Sequence, residues 1–173
     1  MKDYHALLAT RLGGGVTRYH THPTQRVQTV AEHSFGVANI VLFLTEGNAS
    51  GGLLREALWH DVSEAATGDI PAPAKWDSPD LKRILDDLET NHRERHGLDT
   101  NLFPHEVKLL KFADMSELVL WSLEEYNLGN KYASRLITRG LVVLDRLRSA
   151  EQLRPFDRVQ ELYNTMSEEF HND

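Results

Sequence analysis

Cysteine is absent from all 173 residues. That excludes disulfides, thiolate zinc sites and cysteine nucleophiles, and it fits a reducing compartment. No apolar run is long enough to cross a bilayer, and the start Met1-Lys2-Asp3-Tyr4-His5 lacks the apolar core of a secretory signal. Basic residues are the minority, 19 against 26 acidic ones, for a net charge of −7 with histidine neutral. A broad phosphate-tracking surface for nucleic acid needs the opposite balance. A few local cations can still make a pocket for a small anion. The expectation is a soluble, cytoplasmic protein that binds neither nucleic acid nor membrane.

Histidine, in contrast, is plentiful, with 9 residues. Without cysteine, any metal site must combine histidine with carboxylates. The length suits one domain, and the apolar periodicity is helical almost throughout. Tyr4 to Leu12 predicts a short helix stopped by Gly13-Gly14-Gly15. Thr29 and Glu32 have capping-box spacing, and His33, Val37, Ile40, Val41 and Leu44 continue one face. Further helices are expected over Gly52–Ala66, Pro79–Gly97, Pro104 to about Gly129, Tyr132–Leu147 and Pro155–His171. Residues 16–28 carry no stripe, and 67–73 reads as loop because of Pro71 and Pro73. The triple glycine is no phosphate-binding P-loop, since no Gly-Lys-Ser/Thr follows it. The fold class is therefore all-α: a bundle of about seven helices forming one domain over 1–173. Its core spans about 29–147, with a helix and an irregular loop in 1–28 and a last helix over 155–171.

His60-Asp61 lies late in an apolar helix, between Trp59 and Val62. Alone, such a pair reads as a helix leaving the core for solvent. Three other residues change that. His33 opens another helix. Asp114 interrupts the apolar run Phe112-Ala113-Asp114-Met115, where an unpaired carboxylate is costly. Glu64 follows His60 by four and Asp61 by three residues, which places it beside both on a helix surface. Two imidazoles and two carboxylates from three helices suit a hard-to-borderline divalent ion. Positions left open on that ion would take water and a substrate oxygen.

His33, His60-Asp61 and Asp114 resemble the H…HD…D signature of HD-domain metal-dependent phosphohydrolases. Arg18-Tyr19, Arg26, Glu32-His33-Ser34, His60-Asp61-Val62-Ser63-Glu64, Thr67-Gly68-Asp69-Ile70-Pro71 and Pro73-Ala74-Lys75 extend the likeness to the 5′-deoxynucleotidase branch. Phage dATP triphosphohydrolases are relatives of that branch. The resemblance covers roughly residues 5–147.

It implies His33, His60, Asp61 and Asp114 as ligands of Co²⁺, Mn²⁺, Zn²⁺, Fe²⁺ or Mg²⁺, with Glu64 as general acid/base. Asp69 would lie near the sugar or the leaving oxygen. Arg18 and Lys75 would offset phosphate charge, and Arg26 is a weaker candidate for the same task. Tyr19 stands where bacterial relatives carry tryptophan, an aromatic that packs on the sugar and disfavours a 2′-hydroxyl; Thr21 would border the base. The implied activity is hydrolysis of dATP, or of deoxynucleoside monophosphates broadly, in nucleotide-pool control of a phage. The implied assembly is a homo-oligomer, dimeric or hexameric. Another HD chemistry, on a guanosine polyphosphate or a cyclic nucleotide, stays open, as does a metal-bearing nucleotide sensor without turnover. His92 and His96, four apart with Arg93, Glu94 and Arg95 between them, read as a solvated face. Trp121 and Phe112 read as core.

Overall fold

The computed structural model describes residues 2–172, and the side chains of residues 4–71, 74–75 and 77–171. Met1-Lys2-Asp3, read above as lacking a signal core, lies outside the described side chains. Helices α1 (Lys2–Gly14), α2 (Val30–Leu44), α3 (Gly51–Trp59), α4 (Glu64–Thr67) and α5 (Ala72–Asp77) make up the first half. Then follow α6 (Pro79–His96), α7 (Pro104–Asn127), α8 (Ser134–Arg148) and α9 (Asp157–Asn172). Among the described residues the sole β pairing is an isolated bridge between Thr17 and Thr29. None of these helices is long and apolar enough to cross a membrane.

Helix α7 is the axis, packed against α2, α3, α8 and α9. Val37, Val41, Leu53, Phe112, Ile137 and Met166 are among the residues that fill the space between them. Side-chain caps fix where the helices begin. The Thr29 hydroxyl accepts the Glu32 N–H while the Glu32 carboxylate accepts the Thr29 N–H at 2.7 Å, the reciprocal pair expected for α2. Ser50 caps α3 through the Leu53 N–H and donates to Glu106 at 2.5 Å, so α3 and α7 start from one polar joint.

Two local expectations change. The helix expected over Gly52–Ala66 ends at Trp59, and residues 60–63 form tight turns before α4. Their bonds run from residue i to i−3: Val62 N–H to Trp59 O at 3.2 Å, and Glu64 N–H to Asp61 O at 3.0 Å. Arg93 of α6 donates to Trp59 O and Leu98 O and pairs with Glu56 at 2.5 Å, which pins the end of α3. From the other side α1 packs directly on the turn. A Cβ on Gly13 would stand 2.4 Å from Val62 O, so only glycine permits the approach. Arg93 is thus buried rather than part of a solvated face. The second change is α5, in the segment read as loop. Pro71 caps it and Pro73 sits in its first turn, where a missing N–H costs nothing.

Candidate active site

His33 lies in the first turn of α2 and is fully buried. Its Nε2 is 3.2 Å from His60 Nε2, 3.1 Å from Asp114 Oδ1 and 3.5 Å from Asp61 Oδ2. His60 caps α3, and its Nδ1–H donates to Ala57 O at 3.0 Å, which turns Nε2 towards the same point. Asp61 follows on the tight turn, with Oδ2 3.5 Å from His60 Nε2, and Asp114 comes from α7. Burial opposes charge on both imidazoles, yet hydrogen bonds and attraction to the carboxylates outweigh it. His33 is raised, and His60 is pushed up to about 10. Asp114 is held well below its ordinary value, against burial, by hydrogen bonds to His33 and His60. His33, His60 and Asp61 form a metal-competent group by distance, and Asp114 Oδ1 lies beside the two imidazoles. Imidazole nitrogens with carboxylate oxygens are the donor chemistry of a borderline divalent ion.

Beside this cluster opens a cleft of about 230 Å³. Glu64 lines it from the start of α4, buried, with Oε2 lacking a hydrogen-bond partner among the described residues and Oε1 4.0 Å from Lys75 Nζ. Burial, then repulsion from Asp61 and Asp69, pushes Glu64 up to about 8. Asp69 and Lys75 line the same cleft. Arg18 also lines it, and its Nη1 pairs with Asp61 Oδ2 at 2.6 Å. Tyr19 adopts a left-handed backbone at φ 55°, held by its N–H donating to Asp69 Oδ2 at 3.0 Å. Its ring stacks on Trp121 at 4.3 Å and 4°. That strained position fits a residue fixed by its surroundings for a task.

Two residues named from the resemblance fall elsewhere. Thr21 is exposed, bonds to His22 and does not line the cleft; His22 does. Arg26 is also outside it, spending its guanidinium on Glu124 and Glu125 and lying over the Trp121 ring. Arg26 therefore anchors its own loop. Sequence reasoning also missed Lys82, which lines the cleft from α6, and the buried carboxylates Glu117 and Glu125 of α7. The last two carried a signal: charged residues at helical spacing among Ser116, Leu118, Val119, Trp121, Ser122 and Leu123, all buried. His92 and His96 are half-buried with rings 4.6 Å apart, and no third metal-competent group joins them among the described residues.

Residues 9–156 match the family described as 5′-deoxynucleotidase YfbR-like. A dATP triphosphohydrolase of Salmonella phage PMBT28 is 33% identical over 121 residues, 63% of this chain; the matched part spans only 61% of the phage protein's length. A 5′-deoxynucleotidase of Yersinia pestis is 30% identical over 138 residues, covering 66% of this chain and 70% of that one. Among solved structures, a cyanophage S-2L HD phosphohydrolase bound to dA and one catalytic Zn²⁺ superimposes with a TM-score of 0.66 at 23% identity, over 95% of this chain and 96% of its own. An HD-domain phosphohydrolase of Listeria innocua gives 0.64 at 20%, over 95% and 98%. The two structures share the fold, and the family match covers most of the chain: the protein belongs to the YfbR-like 5′-deoxynucleotidase family.

Proposed function

We propose that this chain is a metal-dependent phosphohydrolase that converts dATP to deoxyadenosine and triphosphate, and dADP and dAMP to deoxyadenosine and the corresponding shorter phosphate, in nucleotide-pool control of a phage. One observation supports the hydrolase reading: the metal-competent group His33, His60 and Asp61, with Asp114 beside it, adjoins a cleft lined by Glu64 and the cations Arg18, Lys75 and Lys82. The choice of dATP is supported by the phage relative, and a broad activity on deoxynucleoside monophosphates by the Yersinia relative.

His33, His60, Asp61 and Asp114 would hold the ion, Zn²⁺, Co²⁺, Mn²⁺ or Mg²⁺. When bound, it supplies an acidified water and a polarised phosphoryl oxygen. Hydrolysis joins the water oxygen to phosphorus and breaks the bond from phosphorus to the 5′-oxygen. One proton leaves the water and one reaches the 5′-oxygen. Glu64 is the group that moves protons in the cleft, because a carboxyl raised towards working pH can both accept and give one. Arg18 and Lys75 offset charge on the phosphate oxygens. Tyr19, backed by Trp121, walls the sugar, and Asp69 holds Tyr19 there through its N–H. We further expect a cytoplasmic homo-oligomer, which light scattering tests.

Product chromatography with each dNTP, dNMP and rNTP, plus Mn²⁺ or Co²⁺, tests the reading. Deoxyadenosine from dATP, with other dNTPs spared, supports it. Turnover of dNMPs alone selects the broad nucleotidase. No turnover with metal bound overturns the enzyme reading in favour of a sensor.

A further inference from the structure

Glu117 is buried one helical turn beyond Asp114 on α7, and the chemistry above gives it no task. His33 Nδ1–H donates to its Oε2. A carboxylate oxygen can only accept, so Nδ1 carries a proton on that bond, and Nε2 is the ring nitrogen left to face His60 and Asp114. The other oxygen, Oε1, accepts from Gln28 Nε2 at 2.8 Å. Gln28 is itself buried, and its backbone carbonyl accepts the Arg18 N–H at 2.8 Å.

The route by which Glu117 reaches His33 crosses α2 at Gly36, three residues along the same helix. A Cβ at Gly36 would come within 2.7 Å of Glu117 Cγ and 3.1 Å of Oε1. The closer clash involves the stem of the side chain, so turning its tip does not relieve it. Glycine inside a helix is unfavourable in itself, and here it leaves a channel one side chain wide.

We propose that Glu117 is the positioning residue for His33, with Gly36 as the clearance that admits it and Gln28 as the brace that orients it. The set would tune the affinity of the four-donor cluster for its divalent ion and connect the cluster to the backbone of Arg18. This rests on the metal reading above, and the test separates the two.

Mn²⁺ and Zn²⁺ dissociation constants are measured by calorimetry or chelator competition on the wild type, Glu117→Ala, Glu117→Gln and Gly36→Ala. Side-chain ¹⁵N NMR reports the His33 tautomer. Wild-type binding at one site is the premise, and its absence overturns the metal reading itself. Glu117→Ala is expected to weaken binding about 10–100-fold, as loss of an outer partner does, and to release His33 into both tautomers. Glu117→Gln keeps an acceptor for Nδ1–H and should retain the tautomer with a smaller loss. Gly36→Ala forces the Glu117 stem to shift, so some stability is lost whatever the role of the pair; a merely structural contact would leave the metal affinity and His33 tautomer of the folded variant unchanged, whereas here both change. Unchanged affinity and tautomer in both Glu117→Ala and Gly36→Ala overturn the proposal. If Glu117→Ala does not fold, Glu117→Gln and Gly36→Ala decide: wild-type affinity in both overturns it, and weakened binding in Gly36→Ala supports it.

Discussion

The two walls of the cleft are held by different means. On one, Asp114 lines the cleft from α7 with His33 of α2 buried behind it, and their neighbours Val37, Phe112 and Ala113 are wholly buried. On the other, Arg18, Tyr19 and Asp69 stand on the loops before α2 and after α4. Polar ties hold those loops: Asp69 to Tyr19 N–H, Glu125 to the N–H groups of Gln25 and Arg26, and Asn130 Nδ2 to Pro23 O. Close packing fixes a helix pair as a unit, whereas a tied loop depends on a few replaceable hydrogen bonds. The donor wall can stay constant while the loop wall is rebuilt for another sugar or base. A substitution's effect should therefore depend on which wall it strikes.

The hardest blow to the donor wall is Asp61→Ala. It removes a donor and strips the partner from Arg18, whose side chain is 9% exposed. Turnover should fall to the detection limit. Stability should drop by about 3 kcal/mol, since breaking a buried pair leaves a charge without compensation. Denaturant unfolding checks this, and a variant as stable as wild type would mean that the turn after α3 is as compliant as the loops.

Glu64→Gln sits where the walls meet and should separate chemistry from folding. Loss of a proton-transfer group costs about 10²- to 10⁴-fold in kcat, with metal affinity kept. Stability should move the other way in chelator-treated protein. Glu64 is raised from 4.5 to about 8, so the folded state holds its proton while the unfolded chain releases it. Wild type then loses stability as pH climbs from 4.5 towards 8, and the glutamine variant does not. The gap in Tm should open across that window and stay level above it.

On the loop wall the largest effect belongs to Glu125→Ala. Glu125 is fully buried and accepts from Gln25 N, Arg26 N, Arg26 Nε and Asn130 Nδ2. Stranding these donors should cost about 2–3 kcal/mol and raise KM more than it lowers kcat, because the loop carrying Arg18 and Tyr19 loosens. Burial opposes its charge, but these hydrogen bonds keep Glu125 below its ordinary 4.5. Its contribution is thus present above 4.5 and lost as pH falls through its lowered folded value, so wild type and variant should converge in acid.

The same contrast decides what could be read from sequence. His60-Asp61 and Asp114 were visible as polar intrusions in apolar runs, and the Thr29–Glu32 cap located the helix that carries His33. The tight turn at 60–63 was not visible, because Arg93 and Gly13 impose it from distant parts of the chain. That Thr21 and Arg26 lie outside the cleft lining was not legible for a related reason. In an irregular loop no periodicity says which side chain faces inward, and there it is His22 that lines the cleft. Glu117 and Gly36 were each legible as an oddity of its own helix. Their pairing is a tertiary fact that neither helix contains.

The smallest change probes the loop wall most finely. Tyr19 has a ring stacked on Trp121 and a buried hydroxyl beside the Arg18 guanidinium that makes no well-formed hydrogen bond among the described residues. Tyr19→Phe removes the unsatisfied group and keeps the ring, so stability should rise by up to about 1 kcal/mol. If ring volume excludes a ribose 2′-hydroxyl, the ratio of kcat/KM for dATP over ATP should stay within about twofold, well below the tenfold that 1.4 kcal/mol represents. A collapse of that ratio with Tm unchanged would assign sugar selection to the phenolic oxygen. The loop wall would then read its substrate through a hydrogen bond made only when the sugar is bound, and the strained backbone at Tyr19 would serve to aim that oxygen rather than the ring.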